Sequence, residues 1–261
     1  MLVAAPLVGL VACALLLITA LAPARAAVPA RVLSLDLCTD RMLATYARPA
    51  QVAALSPMHR RFAVDWIDAH WPGHDGSLEQ IMQRTPDLVI SGEYNARQTR
   101  ARLQQLGMAV ATLPLPRTVA DIRAYEQRLL ALIGEPAERA STPPPATARE
   151  PRPRLLLLGA NGIGTGTGTF ENELIELAGW RNYLRGSGHL RLDLEQIAAD
   201  PPDAILWSAP PSAALANRFA EHPVLRRAIP PDGWLRSDFW RWQCPGPWTW
   251  ELVRQIRAPG P

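Results

Sequence analysis

The sequence predicts an α/β chain of two lobes, each built on a parallel sheet, and three observations predict it. Apolar runs of strand length alternate with helical stretches through residues 31–114 and again through 154–208, the pattern that βαβ units write into a chain. One phrase occurs in both halves: "SLEQIMQRTPDLVISG" at 77–92 and "DLEQIAADPPDAILWS" at 193–208 each run Leu-Glu-Gln-Ile, four residues, Pro-Asp and an apolar strand. A single helical pattern followed by a proline-rich stretch separates the halves. With 261 residues, 48% hydrophobic and 20% charged, the chain is long enough to bury a core in each lobe.

Residues 1–27 read as an export leader. An uncharged apolar stretch is followed by Ala24-Arg25-Ala26, the small-x-small pattern of a secretory cleavage site. The alternative is a lipoprotein leader in which Cys13 of "LVAC" is acylated. After cleavage only Cys38 and Cys244 remain; outside the cytoplasm such a pair becomes a disulfide, with a soft-metal or thiolate site as the alternative.

The N-terminal lobe, 28–117, opens with the strand "RVLSLDL" (31–37), and "CTDRMLATYARP" reads as a loop feeding a helix that ends before Pro49. The second strand is "QVAALS" (51–56), the repeated phrase supplies a helix and the strand "DLVIS" (87–91), and "ARQTRARLQQLG" is a helix stopped by Gly107 before the strand "AVATLP" (109–114). Residues 118–153 link the lobes. Thr118 is a candidate N-cap, Val119, Ile122, Tyr125, Leu129 and Ile133 recur at helical spacing, Gly134 and Pro136 end the helix, and "EPAERASTPPPATAREPRPR" reads as a surface linker. The C-terminal lobe, 154–261, has the strand "RLLLLGA", the glycine loop "GANGIGTGTGTF" (159–170), the helix "FENELIELAGW", the second copy of the phrase, and a tail. That tail, "WLRSDFWRWQCPGPWTW", holds five of the nine tryptophans; Phe239, Trp240 and Trp242 are expected in a loop, and Trp248 and Trp250 on the last helix as core residues.

Several chemistries are excluded. The net charge is +3 with scattered arginines and no basic stripe, so there is no nucleic-acid footprint. Every one of the 27 basic residues is Arg, which removes Schiff-base chemistry and phosphate-loop NTPases. Neither Gly-x-Ser-x-Gly nor His-Glu-x-x-His occurs. The glycine loop lacks a Lys and a Gly-x-Gly-x-x-Gly, leaving either exposed amides and threonine hydroxyls that suit a polar ligand group or simply a tight turn. Among the histidines, Pro72 and Gly73 separate His70 from His74, His189 and His222 are isolated, and only His59 directly follows a strand end. Glu79 and Glu195, the repeated carboxylates, fall on equivalent surfaces of different lobes and cannot share an active site.

An exported chain of two lobes with an interlobe helix and the motifs "PDLVISGEYN", "GTGTGTFENELIELAGWRN" and "SDFWRW" resembles the periplasmic substrate-binding proteins of ABC importers. Within them it is similar to the branch that binds iron-siderophore complexes, heme and vitamin B12, over nearly all of residues 28–258. The resemblance implies two Rossmann-like lobes with the ligand cleft between them, a monomer, no enzymatic activity, no resident cofactor and a permease in the inner membrane as partner. It implies that Glu79 and Glu195 dock to that permease, as one exposed Glu per lobe does in the vitamin B12-binding member. It also implies a cleft lined at the strand ends by Met58, His59 and Arg60, by Glu93 and Tyr94, by Asn161, Thr165 and Gly166, and by Phe239, Trp240, Arg241 and Trp242. Cys38 and Cys244 come to the rim of that cleft and are expected to pair. The family's long interlobe helix is expected to be shorter here, because Pro136 and Pro143 to Pro145 interrupt it.

The leading expectation is therefore a periplasmic binder of a metal chelate, iron-siderophore first and cobalamin or heme next. A bare metal-ion binder is a third reading, and an exported two-lobed enzyme such as a glycosyltransferase is the reading from another class.

Overall fold

The computed structural model describes residues 27–258 apart from 69, 147–149, 210, 211 and 213. The expected leader thus lies, but for Ala27, outside the described residues, and no helix among them is long and apolar enough to cross a membrane.

The N-terminal lobe runs β1 (Val32–Ser34), α1 (Leu37–Tyr46), β2 (Val52–Ala54), α2 (Met58–Arg61), α3 (Leu78–Gln83), β3 (Leu88–Gly92), α4 (Arg97–Gln105) and β4 (Val110–Leu113). Its four strands lie in the order β2-β1-β3-β4 and are all parallel. Val32, Leu33, Val89 and Ile90 are fully buried, as strands covered on both faces require. The first strand is shorter than its apolar run predicts. Asp36 ends it by accepting from the Thr39 amide at 3.0 Å, so "CTD" is the first turn of α1 rather than a loop.

The interlobe helix α5 (Val119–Ile133) starts at a Thr118–Asp121 capping box and stops at Gly134, which takes the left-handed φ of 74°. Its stripe serves both lobes: Tyr125, Leu129, Leu130 and Ile133 pack with the first core, Ile122 with the second. On the same helix the buried Glu126 accepts from the Tyr46 hydroxyl (2.9 Å) and from the Ser141 hydroxyl (2.7 Å), and the Trp250 indole donates to that hydroxyl (2.6 Å). The stretch after Gly134 is consequently not all surface linker, because Ala140 is buried in the first core and Ser141 is held by Glu126.

The C-terminal lobe runs β5 (Arg154–Leu158), β6 (Ile163–Thr165), α6 (Phe170–Leu177), β7 (Arg181–Asn182), β8 (His189–Arg191), α7 (Leu194–Ala199), β9 (Ala204–Trp207), α8 (Pro223–Ala228), β10 (Trp234–Arg236), α9 (Phe239–Gln243) and α10 (Trp248–Gln255). Its strand order is β10-β9-β5-β6-β8, with β7 also on β5. This sheet departs from the expected all-parallel form. The glycine loop folds back as β6, antiparallel to both β5 and β8, because its small residues let chains approach closely: a Cβ on Gly166 would lie 2.0 Å from the Gly186 carbonyl.

The tail belongs to both lobes. Trp242, Trp250, Leu252 and Val253 pack against Leu155, Leu157 and Leu206 of the second sheet, whereas Trp240, Cys244 and Trp248 are buried in the first core among Met42, Leu43 and Tyr46 of α1 and Leu129 of α5. A disulfide joins Cys38 in α1 to Cys244, with Cα atoms 4.9 Å apart, and so ties the lobes covalently at the tail. Residues 239–242 form the short helix α9 instead of the expected loop.

Candidate functional site

The carboxyl ends of β9 and β10 open toward the segment that follows α2, and between them lies a cavity of about 570 Å³. Phe62 to Trp66 form its N-terminal-lobe wall; Trp207, Ala209 and residues 236–238, 240 and 241 form the other. The indoles are ordered against one another. Trp66 stacks on Trp248 at 5.7 Å between centroids, and Trp240 meets Trp248 edge-on at 5.5 Å. Arg241 lies 5.1 Å from the Trp240 ring, pairs with Asp238 (3.2 Å) and donates to the Trp248 carbonyl (3.2 Å). Arg236, at the end of β10, is exposed and forms no ion pair among the described residues. Such a mixture of flat apolar faces and a few placed charges is what small-molecule clefts use to grip and orient a ligand.

A second hollow of about 330 Å³ adjoins the first through Ala209 and is lined by Ala160, Thr165, His189, Ser208 and Trp242, among others. The Trp242 indole donates at 2.6 Å to Ser237, a residue of the larger cavity's wall, which ties the two walls together.

Behind the N-terminal wall is a buried polar cluster. Asp36 accepts from the Gly92 amide (2.8 Å) and the Ser91 hydroxyl (3.1 Å), lashing the end of β1 to the end of β3. Asp40 accepts from the Ser56 amide (2.7 Å), the Ser56 hydroxyl (2.6 Å) and the Ser34 hydroxyl. Burial pushes its carboxyl up to about 7, against the pull of those hydrogen bonds. His59 is buried and donates Nδ1–H to the Ser56 carbonyl (2.5 Å), and His74 donates Nε2–H to the Ser34 carbonyl (2.9 Å); burial lowers the pKa of both. Among the described residues no group of three or more His, Cys, Asp and Glu could hold a metal ion.

The residues singled out from the sequence are thus distributed. Trp240 and Arg241 line the larger cavity, Thr165 and Trp242 the smaller, and Phe239 is the first residue of α9. Met58 lies in α2 with its neighbour His59, which is turned toward Ser56, and Arg60 lines a separate surface hollow with His74, Gln80 and Arg84. Tyr94 is 59% exposed and accepts from Arg117 at 3.0 Å, and Glu93 lies 4.0 Å from that same guanidinium. Asn161 takes a left-handed φ of 58° in an exposed turn, and the Gly166 amide donates to Gly188 (2.8 Å), so the glycine loop spends its amides on its own hairpin. Glu79 and Glu195 are both exposed, each the second residue of its helix.

The sequence reading missed Phe62 to Trp66, Trp207 and the buried Arg41. Trp207 had a signal, since it ends the strand of the repeated phrase. Trp66 had none beyond being an indole in an irregular stretch.

Two lobes, one connecting helix and a cleft walled from both sides define a two-lobed α/β scaffold. No family model matches the chain, and no curated protein matches it in sequence. Solved structures do. A possible iron-binding, periplasmic solute-binding protein from Staphylococcus epidermidis superposes with a TM-score of 0.69 at 14% identity, covering 88% of this chain and 98% of that one. A periplasmic heme-binding protein from Pseudomonas aeruginosa gives 0.63 at 18%, over 88% and 92%. The periplasmic vitamin B12-binding protein of Vibrio cholerae gives 0.59 at 16%, over 88% and 95%. The chain therefore has the fold of the periplasmic solute-binding proteins that serve ABC transporters.

Proposed function

We propose that this chain is the periplasmic substrate-binding component of an ABC importer, exported by its leader, which captures a metal chelate between its lobes and delivers it to a membrane permease. An iron-siderophore is the first candidate. The observation that carries the reading is the interlobe cavity of about 570 Å³, walled by Trp66, Trp207 and Trp240 with Arg236 and Arg241 among them. Indole faces take up the organic skin of a chelate, and guanidinium forks take its oxygens.

The structural neighbours named above support the class of ligand: they are described as binding iron, heme and vitamin B12. Cobalamin and heme are the second reading, favoured by the flat indole walls. A bare metal ion is disfavoured because, among the described residues, Asp65 and Asp238 are the only carboxylates on the cavity wall, and Asp238 is engaged by Arg241. The same poverty of acid, base and nucleophile argues for a binder over a glycosyltransferase-like enzyme.

Delivery needs a docking surface, and Glu79 and Glu195, exposed at the same position of α3 and α7, are its proposed carboxylates. A tryptophan-fluorescence titration with ferric siderophores, heme, cobalamin and bare metal ions should show tight quenching by one class; silence toward all of them would defeat the reading. The double variant Glu79→Ala, Glu195→Ala should abolish uptake with ligand affinity unchanged. A large loss of affinity instead would mean that those carboxylates face the ligand.

A further inference from the structure

One cation beside the cleft, with the carboxylates of Asp40 and Asp238 nearby, is hydrogen-bonded to neither. Arg41 is 0% exposed, and of its guanidinium nitrogens only Nη2 has a partner, the Phe62 carbonyl; Nε and Nη1 have none. No carboxylate forms an ion pair with it among the described residues, and the adjacent Asp40 carboxyl is taken up by Ser34 and Ser56. A buried guanidinium left in this state is costly, and stacking on aromatic rings offsets only part of that cost.

What covers Arg41 is the cavity wall itself. Its guanidinium lies 4.4 Å from the Trp240 ring centroid and 5.7 Å from that of Trp66, and it donates its one hydrogen bond to the Phe62 carbonyl; all three residues line the cavity. A single layer of wall, the Trp240 and Trp66 indoles and the Phe62 backbone, therefore lies between this cation and the ligand space. Trp66 is the more exposed side of that screen: it is 45% exposed, against 8% for Trp240, and lies in the irregular segment between α2 and α3.

We infer that Arg41 is the cleft's receptor for an anionic oxygen of the ligand, reached when the Trp66 indole swings aside, and that the ligand is a negatively charged chelate. This rests on the proposed chelate-binding function and narrows its substrate class. Arg241 cannot fill the role unaided because Asp238 already occupies it, and the exposed Arg236 adds a further unpaired cation on the opposite wall. A catecholate or carboxylate group drawn into this space would satisfy Nε and Nη1 through a charge-assisted pair. The competing role for Arg41 is a pillar that merely props Trp66 against Trp240.

Titration of the native chain and of Arg41→Met with a triply anionic ferric tricatecholate and a neutral ferric trihydroxamate, at one ionic strength, separates the two. The anionic chelate should bind the variant about 10- to 100-fold more weakly, and the neutral one within about 3-fold of native. Equal loss for both chelates would make Arg41 a pillar and overturn the assignment, as would a native preference for the neutral chelate. Because the ratio is read within one variant, a partly unfolded preparation does not distort it. Arg41→Lys, which keeps the buried charge and loses the fork, should fall between the two and serves if the Met variant does not fold. If the native chain binds neither chelate, the proposed function fails and this inference with it.

Discussion

The two lobes repeat one helix and one strand but brace the carboxyl ends of their strands with different chemistry. In the N-terminal lobe the braces are carboxylates: Asp36 ties β1 to β3, and Asp40 ties β1 to β2 through Ser34 and Ser56. In the C-terminal lobe they are amides, Asn182 donating to the Thr165 carbonyl at 3.0 Å and to Asn172 at 2.9 Å. The cores differ as well. The second lobe closes with its own sheet and the tail helix that follows it, whereas the first takes Trp240, Cys244 and Trp248 from the far end of the chain. A repeated phrase thus marks a shared helix and strand without equal topology or equal independence: the N-terminal lobe is titratable and borrows part of its core.

Cutting the disulfide tests this difference most severely. The bridge closes a separation of 206 residues, and chain entropy assigns such a closure about 5 kcal/mol. Cys244→Ser should lose up to that amount in denaturant unfolding, and hydrogen exchange should rise in α1 and β2 before β5 and β9. A uniform rise would break the asymmetry. Next in size is a matched pair of indole deletions. Trp248→Ala and Trp250→Ala should each cost about 3–5 kcal/mol, the first loosening the N-terminal lobe and the second the C-terminal lobe.

The carboxylate brace predicts a pH signature confined to one lobe. Burial holds Asp40 at about 7 in the folded chain against 3.8 unfolded, so the unfolded chain releases its proton first as pH rises. Its contribution is therefore whole below about pH 4 and is lost as pH climbs through 7, by up to about 4 kcal/mol. His59 and His74, lowered by burial, slope the other way below about pH 6.5, so the difference between native and Asp40→Asn isolates the Asp40 part. That stability gap should shrink from pH 4 to pH 8, while the gap for Asn182→Ala stays flat. The smallest test compares the two phrase helices directly. Ser77→Ala and Asp193→Ala should each cost about 1 kcal/mol; Asp193 should cost more, since it caps two amides, those of Glu195 and Gln196, where Ser77 caps only that of Gln80.

Much of this was legible before any coordinates, because period and punctuation decide elements locally. The strands at 87–91 and 203–208 formed within a residue of their apolar runs, and Thr118 and Gly134 bound α5 as capping chemistry predicts. The glycine loop was ambiguous because close chain approach and ligand cradling ask for the same small residues; its amides pack against Gly186 and Gly188 while Thr165 lines the smaller cavity. The site was half legible. An indole cluster beside arginines announced Trp240 and Arg241, but Arg41 sits in an ordinary-looking helix, and only tertiary packing strips it of water and partners.

The route of the tail gives the molecule a rule of completion. A chain made from its N-terminus writes α1 early, yet the apolar face of that helix and the thiol of Cys38 wait for Trp240, Cys244 and Trp248. The lobe written first is finished last. Such high sequence separation slows closure, and it also makes wholeness a condition of order: a product cut short before Trp240 leaves the first lobe open, exposed to proteolysis, and without the wall against which a ligand would rest.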